Sequence, residues 1–206
     1  MKYNLLFGCL LTGTAFSQQI PTSMTRVETV LQSPDVPAGS FASKPKVMYR
    51  AGTRFCRIEE APDPDKAIHG LLIINEPDFW MVNLLTKTAR HGVDPGPTFN
   101  CRMLVFPETA GSDLEFGMAL QYFKSKGATP AEGPVLQTKK TTAYRIDVGD
   151  VSLALFTYGT PERPLAVARI KGEKHEIFWY SGYGEVAFES KLFTLPEGIK
   201  VDDSKR

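Results

Sequence analysis

The sequence is poor in the residues that ordinarily carry catalysis or metal binding. Only three cysteines and three histidines occur in 206 residues. None of them stands at Cys-x-x-Cys or His-x-x-x-His spacing, so neither a zinc site nor a dithiol redox centre can be assembled from them. The serine-hydrolase elbow is missing: Trp179-Tyr180-Ser181-Gly182-Tyr183 lacks both flanking glycines. Gly182-Tyr183-Gly184-Glu185-Val186-Ala187 matches a loose dinucleotide fingerprint, but no parallel strand–helix unit surrounds it. The formal net charge is +1, which argues against an electrostatic footprint for nucleic acid. Hydrophobic runs long enough to span a bilayer are lacking, and so are repeats of 20–50 residues. No cofactor is expected, and the chain reads as a non-enzyme.

What is present begins with an export signal. Met1-Lys2 supplies a short positive end, Leu5 to Ala15 is apolar and small, and Ala15-Phe16-Ser17 before Gln18 has the spacing of a signal-peptidase site. An alternative reads Leu6-Phe7-Gly8-Cys9 as a lipoprotein-processing box with Cys9 lipidated. Cleavage after Ser17 removes Lys2 and leaves equal numbers of acidic and basic residues. The expected organisation is a signal peptide over 1–17, one β-rich domain over 18–201 and a charged, frayed tail over 202–206, in a periplasmic location. Two cysteines remain, Cys56 and Cys101, an even pair that an oxidising compartment favours as a disulfide. Two reduced, buried thiols are the alternative.

The stretch from Lys46 to His91 carries four short β-rich runs: Val47–Arg50, Arg54–Glu59, Leu71–Ile74 and Phe79–Val82. Gly, Pro, Asn and Asp separate them, and the connections are too short for crossover helices, so antiparallel pairing follows. Leu71–Ile74 and Phe79–Val82 are apolar on both faces, which requires a cover on each. Thr22–Gln32 also reads as a strand, and Phe99–Phe106 as one carrying Cys101. One helix is expected, with Ser112 and Glu115 as a capping box, Phe116, Ala119, Leu120 and Phe123 as its apolar stripe, and Gly127 beyond its C-terminus. A second meander runs from Thr141, with a type II′ turn at Gly149-Asp150. Gly92–Thr98 reads as a break, Thr129–Gln137 as a loop, and Val186–Leu195 as a closing strand or extended segment.

The aromatic clusters Phe79-Trp80, Tyr122-Phe123, Phe156–Tyr158, Phe178–Tyr180 and Phe188–Phe193 fit two readings: plain β-core, or an apolar cavity between a curved sheet and a helical lid. Strand alternation puts Trp80 and Val82 on one face and Phe79 and Met81 on the other. The sequence does not say which face turns inward.

The order Arg-Ala-Gly, Arg-Phe-x-Arg-Ile-Glu, Leu-Ile-Ile-Asn, Phe-Trp-x-Val-Asn, Lys-Thr-Ala, then Phe-x-x-x-Leu-x-x-Phe, Ile-x-Trp-Tyr and Phe-x-Leu-Pro-x-Gly resembles the outer-membrane lipoprotein carrier (LolA-like) family over residues 22–201. The resemblance implies an incomplete antiparallel β-barrel of about 9–11 strands, with a helix as lid over an apolar cavity. It also implies a carrier of acyl chains of lipid or lipoprotein, with an envelope partner protein. A non-catalytic sensing or structural module on the same fold is the alternative. Candidate cavity and lid residues are Ile73, Trp80, Val82, Phe116, Leu120, Phe123 and Phe178. Arg50 stands where the family has an arginine important for its lid or cargo cycle.

Overall fold

The pairing pattern of a computed structural model follows from the short connections. The structure describes residues 20–37, 40, 43–94, 114–115 and 117–202. The expected signal peptide and the expected strand over 99–106 lie outside them. The first meander comprises β1 (Ser23–Gln32), β2 (Lys46–Ala51), β3 (Phe55–Glu60), β4 (Gly70–Asn75), β5 (Asp78–Asn83) and β6 (Thr88–Val93). A short helix, α1 (Ala119–Ser125), and an edge strand, β7 (Pro130–Glu132), lead to the second meander. That meander holds β8 (Thr142–Val148), β9 (Val151–Tyr158), β10 (Arg163–Lys171) and β11 (Lys174–Ala187); β12 (Lys200–Asp202) closes the chain.

Among the described residues all twelve strands form one sheet, in the order β12-β6-β5-β4-β3-β2-β1-β11-β10-β9-β8-β7. Every neighbouring pair is antiparallel except β12 with β6. The two meanders are joined along β1 and β11, from Ser23 opposite Ala187 to Gln32 opposite Ile177. The end strands β12 and β7 do not pair with each other, so the sheet is curved but unclosed. This is the incomplete antiparallel barrel that the resemblance implied. The expected turn chemistry is present too: Gly149 sits at φ +64 between the paired Val148 and Val151, while Asp150 keeps a negative φ.

The helix is shorter than expected. Gly117 at φ +79 breaks helical geometry, and α1 starts after Met118 without any side-chain cap. Glu115 pairs with Arg50; Ser112, and with it the expected capping box, lies outside the described residues, as does Phe116. The C-terminal expectation is met. Gly127 at φ +86 follows the C-cap, with Ala128 N–H donating to Phe123 O at 3.1 Å and Gly127 N–H to Lys124 O at 3.0 Å.

Period-two alternation divides the core between the two faces of the sheet. On one face Val27, Met48, Cys56, Ile74, Leu153 and Leu155 gather with Tyr122 and Phe123 of α1. On the other, Leu71, Ile73, Val82 and Ala89 gather with Phe193. Of the segment expected as a closing strand or extended over Val186–Leu195, only Val186 and Ala187 are strand, as the end of β11, and Phe188 N–H still donates to Thr22 O at 3.0 Å. The chain then coils through a 3-10 turn, Ser190–Phe193, and lays its apolar side chains on the sheet. Phe55, Phe188 and Phe193 pack ring on ring at 5.0–5.4 Å. Three further strands depart from expectation: β6 runs through Gly92 and Val93, β7 lies in the expected loop, and Asp202 belongs to β12.

Candidate functional site

The face that carries α1 is unevenly covered. The helix packs on β8 and β9, where Ala119, Tyr122 and Phe123 are buried with Tyr144, Leu153 and Leu155. Leu120, on the same helix, is half-buried. Across β11, β1 and β3–β5 the same face continues as Phe178, Leu31, Ile58, Leu72 and Phe79, all half-buried. Met81 follows Phe79 on that face and is 52% exposed. The result is an apolar floor on which Val27, Met48, Cys56 and Ile74 are buried, while Leu31, Ile58, Leu72, Phe79 and Phe178 stay half-buried and Met81 is exposed.

Of the residues singled out from the sequence, Leu120, Phe123, Phe178 and Arg50 share this face. Phe116 lies outside the described residues. Ile73, Trp80 and Val82 do not join them: they point to the opposite face, beneath the C-terminal segment. Trp80 there stacks on His91 at 5.3 Å, and His91 Nε2 lies 2.7 Å from Asp78 Oδ1. Their alternation partners Leu72, Ile74 and Phe79 are the floor residues that sequence reasoning missed. The doubly apolar strands signalled both sets equally, and only the position of α1 separates them.

Two ion pairs hold the helical segment. At its start, Arg50 Nη1 lies 2.8 Å from Glu115 Oε2, and Arg50 Nε donates to Gly52 O at 3.0 Å. At its end, Lys124 Nζ lies 3.6 Å from Glu162 Oε2. Glu162 is itself fixed, since Tyr144 Oη donates to its two oxygens at 2.8 and 3.0 Å and Thr157 Oγ1 donates at 2.9 Å. Burial alone would raise the Glu162 carboxyl; the Tyr144 and Thr157 hydrogen bonds and the Lys124 charge together hold it below its usual range. Tyr144 is pushed up by burial and by Glu162. Burial also raises Tyr183, and the nearby Arg50 charge offsets part of that rise. Tyr180, fully buried, is raised further by burial and by Tyr183.

Cys56 is fully buried in β3 and is held in a disulfide. Cys101 lies outside the described residues, so its pairing with Cys56 remains a proposal. Among the described residues no cluster of His, Cys, Asp and Glu is placed to hold a metal ion, and no helix is long and apolar enough to cross a membrane. His69 lies against Glu59 at 3.2 Å and His91 against Asp78, each in its own local pair.

No protein-family model matches the chain, and no curated protein matches it. Solved structures do. An uncharacterized conserved protein from Thermus thermophilus is similar at a TM-score of 0.52 with 11% identity, over 88% of this chain and 90% of that one. The LolA superfamily protein NE2245 from Nitrosomonas europaea is similar at 0.36 with 12% identity, over 84% and 90%. PNGF-II is similar at 0.40 with 7% identity, over 89% of this chain and 32% of that one. The first establishes a shared fold; the other two are too distant to carry an argument.

Proposed function

We propose that the protein is an exported carrier of the cell envelope that holds acyl chains of lipid or lipoprotein on its helix-bearing face. One observation carries this reading: Leu31, Ile58, Leu72, Phe79, Met81 and Phe178 make a partly exposed apolar floor that, among the described residues, α1 covers at the β8–β9 end. Burying a methylene against such a floor contributes about 0.8 kcal/mol, so a chain of a dozen or more carbons suffices for stable binding. Catalysis has no part in the reading, because the polar groups beside the floor, Arg50–Glu115 and Lys124–Glu162, are engaged in holding the helical segment. Export rests on the sequence of residues 1–17, and the mature chain begins near Gln18.

Mass spectrometry of organic extracts from gently purified protein tests the reading. Acyl lipids in stoichiometric amount are expected. A protein that carries none, and that fails to bind a fluorescent fatty acid, would overturn it.

A further inference from the structure

Gly92 stands inside β6, which runs through the start of the break expected over Gly92–Thr98. A glycine inside a strand brings no side chain to pack and often marks a close approach. The approach here is made by Phe79. A Cβ placed on Gly92 would stand 2.2 Å from Phe79 Cζ, 2.5 Å from Cε1 and 3.0 Å from Cε2. The far end of the Phe79 ring thus fills the room that any other side chain at position 92 would need.

The pairing explains this seat. Phe79 stands opposite Gly92 on β6 and opposite Ile74 on β4, so the three positions share the helix-bearing face. Ile74 already fills its own place, buried in the core of that face. Gly92 is the bare neighbour, and the ring lies on it. β5 is also the last strand to give the floor apolar side chains, since β6 sets Gly92 opposite Phe79 and Arg90 opposite Met81. The ring therefore lies at the margin of the floor, over β6. A methyl group at 92 would turn it out of the seat. The neighbouring positions left to it are those of β4, so the displaced ring comes to lie over Ile74 and toward Leu72, in the space a bound chain would use.

We infer that Gly92 is a positioning residue for the length of acyl chain the floor accepts: it seats the Phe79 ring at the margin and keeps the β4–β5 end open to longer chains. The inference rests on the carrier reading for the chain itself; the seat does not.

Two measurements on the mature protein separate them. An aromatic ring lying against a glycine displaces its α-proton resonances by ring current. The Gly92 α-protons are expected away from ordinary strand values, and Phe79→Leu should return them. Displacement of a fluorescent fatty acid by decanoate and by stearate, each below its aggregation concentration, reads chain length. Gly92→Ala folds, because the atoms in the way are the far end of a side chain that can turn. It is expected to weaken stearate several-fold and to leave decanoate unchanged, and adding Phe79→Leu should restore stearate. Ordinary Gly92 resonances in the wild type overturn the seat, whatever the acids do. Equal loss of both acids, loss of neither, or a stearate defect that Phe79→Leu leaves in place overturns the length role, while acyl carriage stands on wild-type binding. A wild type that shows the ring-current shift and binds neither acid removes acyl carriage, and the length role with it.

Discussion

Arg50 Nη1 lies 2.8 Å from Glu115 Oε2, with the arginine side chain 9% exposed and the glutamate 19%. The contact ties β2 to the segment entering α1, two elements far apart in sequence. Removing one partner leaves a largely desolvated charge. Arg50→Met is therefore expected to cost about 2–4 kcal/mol, less than the full penalty of a fully buried pair because Glu115 keeps some water contact. Adding Glu115→Leu should restore a good part of that loss. Urea denaturation of the single and double variants measures it, and additive losses would show that the two residues do not act as a pair.

The two helix positions separate core from lid. Phe123 is fully buried between α1 and the β8–β9 strands, so Phe123→Ala is expected to cost about 3–5 kcal/mol. Leu120 is half-buried. Leu120→Ala should cost about 1–2 kcal/mol while weakening binding of a fluorescent fatty acid several-fold. A core-sized stability loss at Leu120 with unchanged binding would count against the lid.

Much of this arrangement was legible in the residues, for identifiable reasons. Short apolar runs with two- to ten-residue connections permit only antiparallel neighbours, and that pairing stands from β2 to β6. Gly127 and Gly149 stand where a helix stop and a hairpin turn need positive φ. The helix start was not legible, because Glu115 has two possible partners and only the fold brings Arg50 within reach. Strands β6, β7 and β12 escaped because Thr88-Ala89-Arg90-His91-Gly92-Val93 and the two three-residue edges carry no apolar alternation. The inward face of β4 and β5 was undetermined because both faces are apolar; one carries the part-exposed Leu72, Phe79 and Met81, and the other is covered by residues 188–199.

Glu162 gives the protein an acid limb. Its folded value lies below the ordinary 4.5, so its contribution is present above the unfolded value and is lost as pH falls through the folded one. Tyr144 works at the other end. Its folded value lies above the ordinary 10.0, so its contribution is complete below that value and fades as pH rises through the folded one. Thermal melts of wild type and Glu162→Gln should differ most near neutral pH and converge in acid. A constant gap down to the lowest accessible pH would remove Glu162 from this role.

Phe193 anchors the C-terminal segment. Its ring is closed to solvent and in contact with Phe55 and Phe188. Phe193→Ala is expected to cost about 3–5 kcal/mol and to raise hydrogen exchange in β12, whose pairing with β6 depends on the segment that Phe193 pins. Unchanged exchange in β12 would show that the strand holds on its own.

The sharpest test of the carrier reading sets the two faces of β4 and β5 against each other. Leu72 and Phe79 lie on the helix-bearing face, Trp80 and Val82 on the face beneath the C-terminal segment. A carboxylate placed on the floor by Leu72→Glu keeps water contact in the empty protein, because Leu72 is only half-buried. It would lose that contact once an acyl chain covered it, a cost of several kcal/mol that falls on binding rather than on folding. Val82→Glu reverses the balance. Val82 is 4% exposed, so the charge is buried without a partner whether or not a chain is bound, and stability suffers while the floor is untouched. The expected pattern is therefore crossed: Leu72→Glu folds and loses fatty-acid binding, whereas Val82→Glu melts lower and, below its melting temperature, still binds. Phe79, half-buried on the floor as Leu72 is, should give the same result: Phe79→Glu folds and loses fatty-acid binding. Binding retained in folded Leu72→Glu and Phe79→Glu would mean that acyl chains do not lie on this floor.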